Sequence, residues 1–146
     1  MAAMAAQPVD PATLGLLLYR AHQLARGKAN DAAAPTGLAL HHAAALSAIQ
    51  SGAVRSQREL GTAIGIDKST LVRMLDDFER WHLVRRQRAA EDRRAYEIVI
   101  TEEGEERLRE ANELYREAMR ELLKVFDAKE QRHLHDLLAR FADQEG

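Results

Sequence analysis

Between Ser56 and Thr101 the chain places helix starts, stops and a turn at a spacing that few architectures accommodate. Ser56-Gln57-Arg58-Glu59 fits a capping box, with the hydroxyl at the cap and the carboxylate three residues on. Leu60 and Ile64 then share a face, and Gly61 is small enough to let a second helix approach closely. Gly65 suits a left-handed helix terminus, and Asp67 caps the next helix almost at once. On that helix Leu71, Leu75 and Phe78 lie on one side, while Ser69, Arg73, Asp76 and Arg80 lie opposite. Two short helices joined by so tight a turn predict a helix-turn-helix. Beyond it, Tyr96, Ile98 and Ile100 alternate with their neighbours at a strand period of two. With Leu83 to Arg88 as partner they form a hairpin whose tip lies near Ala89 to Asp92. The whole run is the layout of a winged helix-turn-helix, in which one helix enters the major groove of DNA and a hairpin reaches the backbone or minor groove.

Charge distribution supports a polyanionic partner at this place alone. The net charge of the 146 residues is −2. From Gly52 to Thr101 ten Lys or Arg face eight Asp or Glu, whereas from Glu102 to Gly146 eight face thirteen. The hairpin segment Arg85 to Arg94 carries five arginines against Glu91 and Asp92. A basic projection on an acidic body focuses phosphate attraction on one feature.

Within the recognition helix, Lys68, Ser69, Thr70, Arg73 and Asp76 are the residues expected to meet DNA. Arg73 suits a bidentate contact to guanine and Asp76 can accept from cytosine. The hydroxyls of Ser69 and Thr70, at the positive end of a helix, suit phosphate. In the wing, Arg86, Arg88, Asp92, Arg93 and Arg94 are the candidates, all the cations being arginine. Guanidinium is less strongly hydrated than ammonium, which favours minor-groove insertion. Asp92 beside two arginines is expected to hold one extended through a bidentate pair. Ser56, Glu59, Leu60, Gly65 and Leu71 are the scaffold beneath.

Helices flank this lobe. Asp10-Pro11 starts the first, with Leu14, Leu17, Leu18, Ala21 and Leu24 as its apolar stripe. Gly27 is expected to end it, Lys28 to Pro35 to form a loop, and Thr36 to cap a second helix reaching Ser51-Gly52. Thr101 caps a long helix with Glu102 and Glu103 at its positive end, and Leu108, Ala111, Tyr115, Ala118, Leu122 and Val125 recur at three-then-four spacing. Asp127 and Glu130 form another capping box before Leu134, Leu137, Leu138 and Phe141. So much apolar helix exceeds what a small winged lobe can cover, which predicts a homodimer. Its interface is expected to include Leu14, Leu17, Leu18, Tyr115, Leu122, Phe126, Leu137 and Phe141. The expected class is therefore mainly α with a small β-hairpin wing (α+β): a winged helix-turn-helix plus a helical dimerisation region. Residues 1–51 would supply N-terminal dimerisation helices, the second bridging to the lobe. Residues 52–101 would form the DNA-binding lobe, and 102–146 the C-terminal dimerisation helices.

Glu59-Leu60-Gly61-Thr62-Ala63-Ile64-Gly65-Ile66-Asp67-Lys68-Ser69-Thr70-Leu71, then Leu83-Val84-Arg85-Arg86, and Glu91-Asp92-Arg93-Arg94 ahead of Ile98-Val99-Ile100-Thr101-Glu102-Glu103-Gly104, resemble the MarR family of bacterial transcription regulators. The likeness covers most of the chain. Its more specific part is the Asp-Arg-Arg wing followed by the Thr-Glu-x-Gly helix start. The resemblance implies a homodimer with intertwined first and last helices on a palindromic operator, acting as a repressor. It implies that Arg94 enters the minor groove and that Asp92 orients the wing. It also implies release by a small aromatic effector in a cleft between helices, with Tyr19, His22, His42 and Tyr115 as candidate lining. One departure is His82, where the family usually has glycine; histidine reaches positive φ more readily than most residues. Trp81 is expected to be structural.

Other classes find little support. His41 and His42, or His133 and His135, diverge on a helix and cannot share one site. No P-loop, His-Glu-x-x-His or Gly-x-Ser-x-Gly motif is present, so no enzyme, cofactor or metal is expected. Absence of cysteine excludes disulfides and thiol sensing. With neither a signal peptide nor a membrane-spanning run, a cytoplasmic protein is expected. The competing reading is a protein-interaction adaptor on a winged scaffold that does not read DNA.

Overall fold

The computed structural model describes residues 7–91 and 96–144. In chain order these form α1 (Pro11–Ala33), a 3-10 turn (Ala34–Thr36), α2 (Leu40–Gln50), α3 (Gln57–Ile64), α4 (Lys68–Arg80), β1 (Val84–Arg88), β2 (Tyr96–Ile100), α5 (Glu102–Leu123) and α6 (Ala128–Ala142). The expected class, mainly helical with one small hairpin, is the observed one.

α1 begins as read. The Asp10 carboxylate accepts from Thr13 N at 3.1 Å and from the Thr13 hydroxyl at 2.7 Å. It does not end at Gly27. The helix runs on to Ala33, because an exposed glycine costs only about 1 kcal/mol in a helix and Ala29 and Ala33 beyond it are buried. The break comes instead at Gly37, with φ 72°. Thr36 is likewise no cap for α2. Its hydroxyl donates to Ala33 O at 2.7 Å and accepts from Leu38 N at 3.2 Å, closing the 3-10 turn. α2 starts after Ala39, which has no side-chain acceptor. Two other groups serve instead: His42 Nδ1, three residues on, accepts from Ala39 N at 3.0 Å, and Asn30 Oδ1, from α1, accepts from Leu40 N at 2.8 Å.

One core joins all three expected segments. Leu38 and Leu46, then Leu60, Leu75, Phe78 and Leu83, then Leu108 are its largest enclosed side chains. α1 packs along α5, and α2 lies against α3, α5 and β2. β1 and β2 pair antiparallel from Val84↔Ile100 to Arg88↔Tyr96. On the other edge of β2, Ile98 N donates to Arg55 O at 3.0 Å, so the segment before α3 adds a short third rung.

The Thr-Glu-x-Gly start of α5 is explained by its seat. Thr101 N donates to Leu83 O at 2.9 Å, its hydroxyl donates to His82 O at 2.5 Å, and the same oxygen accepts from Gly104 N at 3.0 Å. A Cβ on Gly104 would stand 2.1 Å from Leu83 O, so no side chain fits there. His82 does adopt positive φ, 59°, and the corner holds. Trp81 is half-buried against the core, edge-on to His42 at 5.8 Å.

The outer helices are open by contrast. Among the described residues of α6 all are exposed except the half-buried Leu134, and Leu14, Leu16, Leu17 and Leu24 are exposed on α1.

Candidate nucleic-acid interface

The helix-turn-helix closes as its residues dictate. Ser56 Oγ accepts from Glu59 N at 3.1 Å, while Glu59 Oε2 accepts from Arg55 N at 2.9 Å and Ser56 N at 3.4 Å. Gly65 sits at φ 66°, donating to Gly61 O at 3.0 Å. A Cβ on Gly61 would lie 3.1 Å from Leu71 Cδ2, which is the tight crossing of α3 and α4. Leu60, Leu71, Met74, Leu75 and Phe78 are buried, so the opposite face of α4 is fixed outward.

That outward face holds exposed Lys68, Ser69, Arg73 and Asp76, with Thr70 half-exposed. Among the described residues Arg73 and Asp76 form no ion pair, leaving both side chains available to a base edge. Arg80, farther along, is tied to Asp77 at 2.8 Å. The two hydroxyls are more committed than the sequence suggests. Ser69 Oγ and Thr70 Oγ1 both donate to the Asp67 carboxylate at 2.6 Å, and Thr70 N adds a bond at 3.0 Å. These donors, the Ser69 hydroxyl foremost, hold Asp67 well below the usual carboxylate range. A phosphate at this helix end must therefore compete with a fixed charge of its own sign.

Beside α4 runs a groove of about 540 Å³ lined by Arg58, Thr62, Ile66, Lys68 and Leu71, which sets two cations at the helix-turn-helix edge. The wing departs in part from expectation. Arg88 lies over the Tyr96 ring, its Cζ 5.7 Å from the centroid. Arg86, though exposed, is drawn toward α4: its Nε lies 3.0 Å from Glu79 Oε1, on the last turn of that helix. The contact joins helix to strand across a corner, so no local pattern announces Glu79. Asp92, Arg93 and Arg94 lie outside the described residues.

Among the described residues no hydrogen bond or ring contact joins the four candidate effector residues. Tyr19 and His22 are exposed on α1, where Tyr19 Oη accepts from Gln23. His42 is edge-on to Phe78 at 5.7 Å and is already spent as the α2 cap. Burial pushes its pKa down to about 4, with His41 adding to the effect and Asp77 opposing it. Tyr115 must be corrected on both counts. Only 8% exposed, it is enclosed by its own chain and its hydroxyl donates to Leu38 O at 3.2 Å. A ring so covered offers no face to a partner or ligand. Of the other expected interface residues, Leu14, Leu17, Phe126, Leu137 and Phe141 are exposed, and Leu18 and Leu122 half-exposed. Among the described residues no cluster of His, Asp and Glu could hold a metal, and no helix is long and apolar enough to cross a membrane.

A capped helix pair with an outward polar face, followed by an arginine-bearing hairpin seated on its second helix, defines a winged helix-turn-helix. A family model of the MarR family matches residues 36–95. A MarR-family transcriptional regulator from Rhodococcus sp. RHA1 is 27% identical with TM-score 0.81, over 96% of this chain and 99% of that one. CouR from Rhodococcus jostii RHA1, bound to p-coumaroyl-CoA, is 28% identical with TM-score 0.76, over 91% and 94%. The transcriptional repressor CouR bound to a 23-mer DNA duplex gives 27%, TM-score 0.78, over 88% and 92%. The chain is thus similar to MarR-family winged-helix transcription regulators, by the family model over residues 36–95 and by fold over nearly its whole length.

Proposed function

We propose that this protein is a MarR-type transcription regulator that represses by binding a palindromic operator as a homodimer. The observation that carries the reading is the outward face of α4, where Arg73 and Asp76 form no ion pair among the described residues, beside a hairpin whose strand carries Arg85, Arg86 and Arg88. The likeness to CouR on a DNA duplex supports the same partner. Exposed Leu17, Leu24, Leu138 and Phe141 support self-association, since a second copy would cover them. Two recognition helices related by a two-fold axis would then read two half-sites about one helical turn apart.

Selection of duplexes from a random pool by the purified protein is the direct test. The recovered sites should be inverted repeats, and affinity should fall by roughly a thousandfold or more between about 50 and 200 mM salt. Recovery of sequences without two-fold symmetry, or a flat salt response, would refute the proposal. In the wing, Arg94→Ala is expected to weaken operator binding by roughly 1–3 kcal/mol while leaving the dimer intact. Intact binding by that variant would remove Arg94 from the interface.

The reading extends to release by an aromatic effector, supported by CouR bound to p-coumaroyl-CoA. Such a ligand would act by favouring a spacing of the recognition helices that misses successive grooves. Titrating the protein–DNA complex with p-coumaroyl-CoA and with simple aromatic acids tests it, and a complex indifferent to all of them would restrict the proposal to constitutive repression.

A further inference from the structure

A two-stranded ribbon has little stiffness of its own, so the angle of this hairpin is decided at its root. Ile98 N on Arg55 O holds the outer edge of β2, and Thr101 on Leu83 O and His82 O holds the corner. A third tie joins β1 to the recognition helix: Arg86 Nε beside Glu79 Oε1 at 3.0 Å. We propose that Glu79 and Arg86 are a positioning pair that fixes the hairpin against α4, so that recognition helix and wing approach DNA as one body.

The surroundings of Glu79 carry this. Although both side chains are more than a third exposed, its Oε1 is sealed from solvent and accepts no hydrogen bond from the described residues, so the guanidinium of Arg86 is the charged neighbour of that oxygen. Arg86 stands on the same face of β1 as the buried Val84, two residues away, and so points back to the helix. The leverage is large. From Arg86 to the hairpin tip is about four residues, or roughly 13 Å at about 3.3 Å per residue. A tilt of roughly 10° at the root moves the tip by about 2 Å, well beyond the ~0.5 Å within which a binding constellation must be held. Arg86 is thereby reassigned from phosphate contact to positioning residue, an inference that rests on the DNA-binding reading above.

Glu79→Gln separates the alternatives by sign. If Glu79 merely restrains a phosphate-binding arginine, removing the carboxylate tightens operator binding. If the pair positions the hairpin, Glu79→Gln weakens it, and so does Arg86→Gln, each by about tenfold. The double variant should then be no weaker than either single one, the salt dependence should stay that of the wild type, and Arg86→Lys should recover part of the loss. Hydrogen exchange on the free protein supplies a readout without DNA: amides of Val84–Arg88 and Tyr96–Ile100 should exchange faster in both variants while α3 stays protected. Tighter or unchanged binding by Glu79→Gln, or hairpin amides that exchange as in the wild type, would overturn the proposal. A wild-type protein that bound no duplex, with hairpin exchange still accelerated in the variants, would defeat the DNA reading and leave the pair standing.

Discussion

In the lobe between Arg55 and Thr101, Ser56, Glu59, Gly65 and Asp67 close the helix ends within a few residues, and Leu60, Leu71, Leu75 and Phe78 disappear into the core. Along α1 and α6 the caps are just as local: Asp10 holds Thr13, and Asp127 with Glu130 forms a capping box. Yet Leu17 stays 50% exposed and Phe141 56%. The difference lies in what each kind of group needs. A backbone N–H is satisfied by one nearby oxygen, whereas an apolar face requires another face of similar size. Burying the exposed halves of Leu17, Leu24, Leu138 and Phe141 would contribute on the order of 3–6 kcal/mol per chain before the cost of association. The lobe completes itself within one chain; the outer helices leave apolar faces uncovered.

The contrast can be broken most severely at the joint between the two regions. Gly104→Ala places a methyl against Leu83 O, which cannot move without dragging the hairpin corner. Stability to urea should fall by about 3 kcal/mol or more. A midpoint close to that of the wild type would mean that α5 is not seated as described. Next in size, Leu17→Asp combined with Phe141→Asp should raise the dimer dissociation constant by at least roughly a hundredfold, about 3 kcal/mol, as read by sedimentation equilibrium. The lobe's circular dichroism should be preserved. A dimer untouched by two buried charges would place the interface elsewhere.

Smaller effects sharpen the local side of the comparison. Ser56→Ala removes one acceptor at the start of α3 and should cost about 1 kcal/mol in thermal unfolding, with no change in oligomeric state. A further effect concerns pH. His42 is held neutral in the fold, with its pKa down at about 4 by burial first of all. The unfolded chain, with an ordinary histidine near 6.5, therefore takes up the proton first. His42 contributes fully above that value, and its contribution drains away as pH falls from about 6.5 toward 4. His42→Gln, which keeps an acceptor for Ala39 N, should flatten this part of the stability profile. An identical slope in the variant would show that other groups produce it.

Much of the lobe was legible because its signals act over three or four residues: the Ser56 box, Gly65, the Asp67 cap and the alternation from Tyr96 to Ile100. Even the specific Thr-Glu-x-Gly start was readable as a pattern, though only the 2.1 Å approach to Leu83 O gives its cause. Misreadings occurred where a local signal was outvoted at a distance. Gly27 stayed helical because Ala29 and Ala33 are buried, and Thr36 lost the α2 start in part to Asn30 of α1. Tyr115 sits on an apolar stripe that sequence cannot divide between core and partner; its hydroxyl on Leu38 O, 77 residues away, divides it.

The chain by itself determined where helices begin, which face of each is apolar, that one helix presents Arg73 and Asp76 outward, and that arginines cluster in one ribbon. These follow from periodicity and capping, which are properties of neighbours. Only the tertiary arrangement decided that the Ser69 and Thr70 hydroxyls are held by Asp67, that Arg86 turns back to Glu79, and that Tyr115 is core while Phe141 is bare. Partners of a hydroxyl, a guanidinium or a ring are chosen by proximity in three dimensions, and spacing along the chain does not encode that proximity.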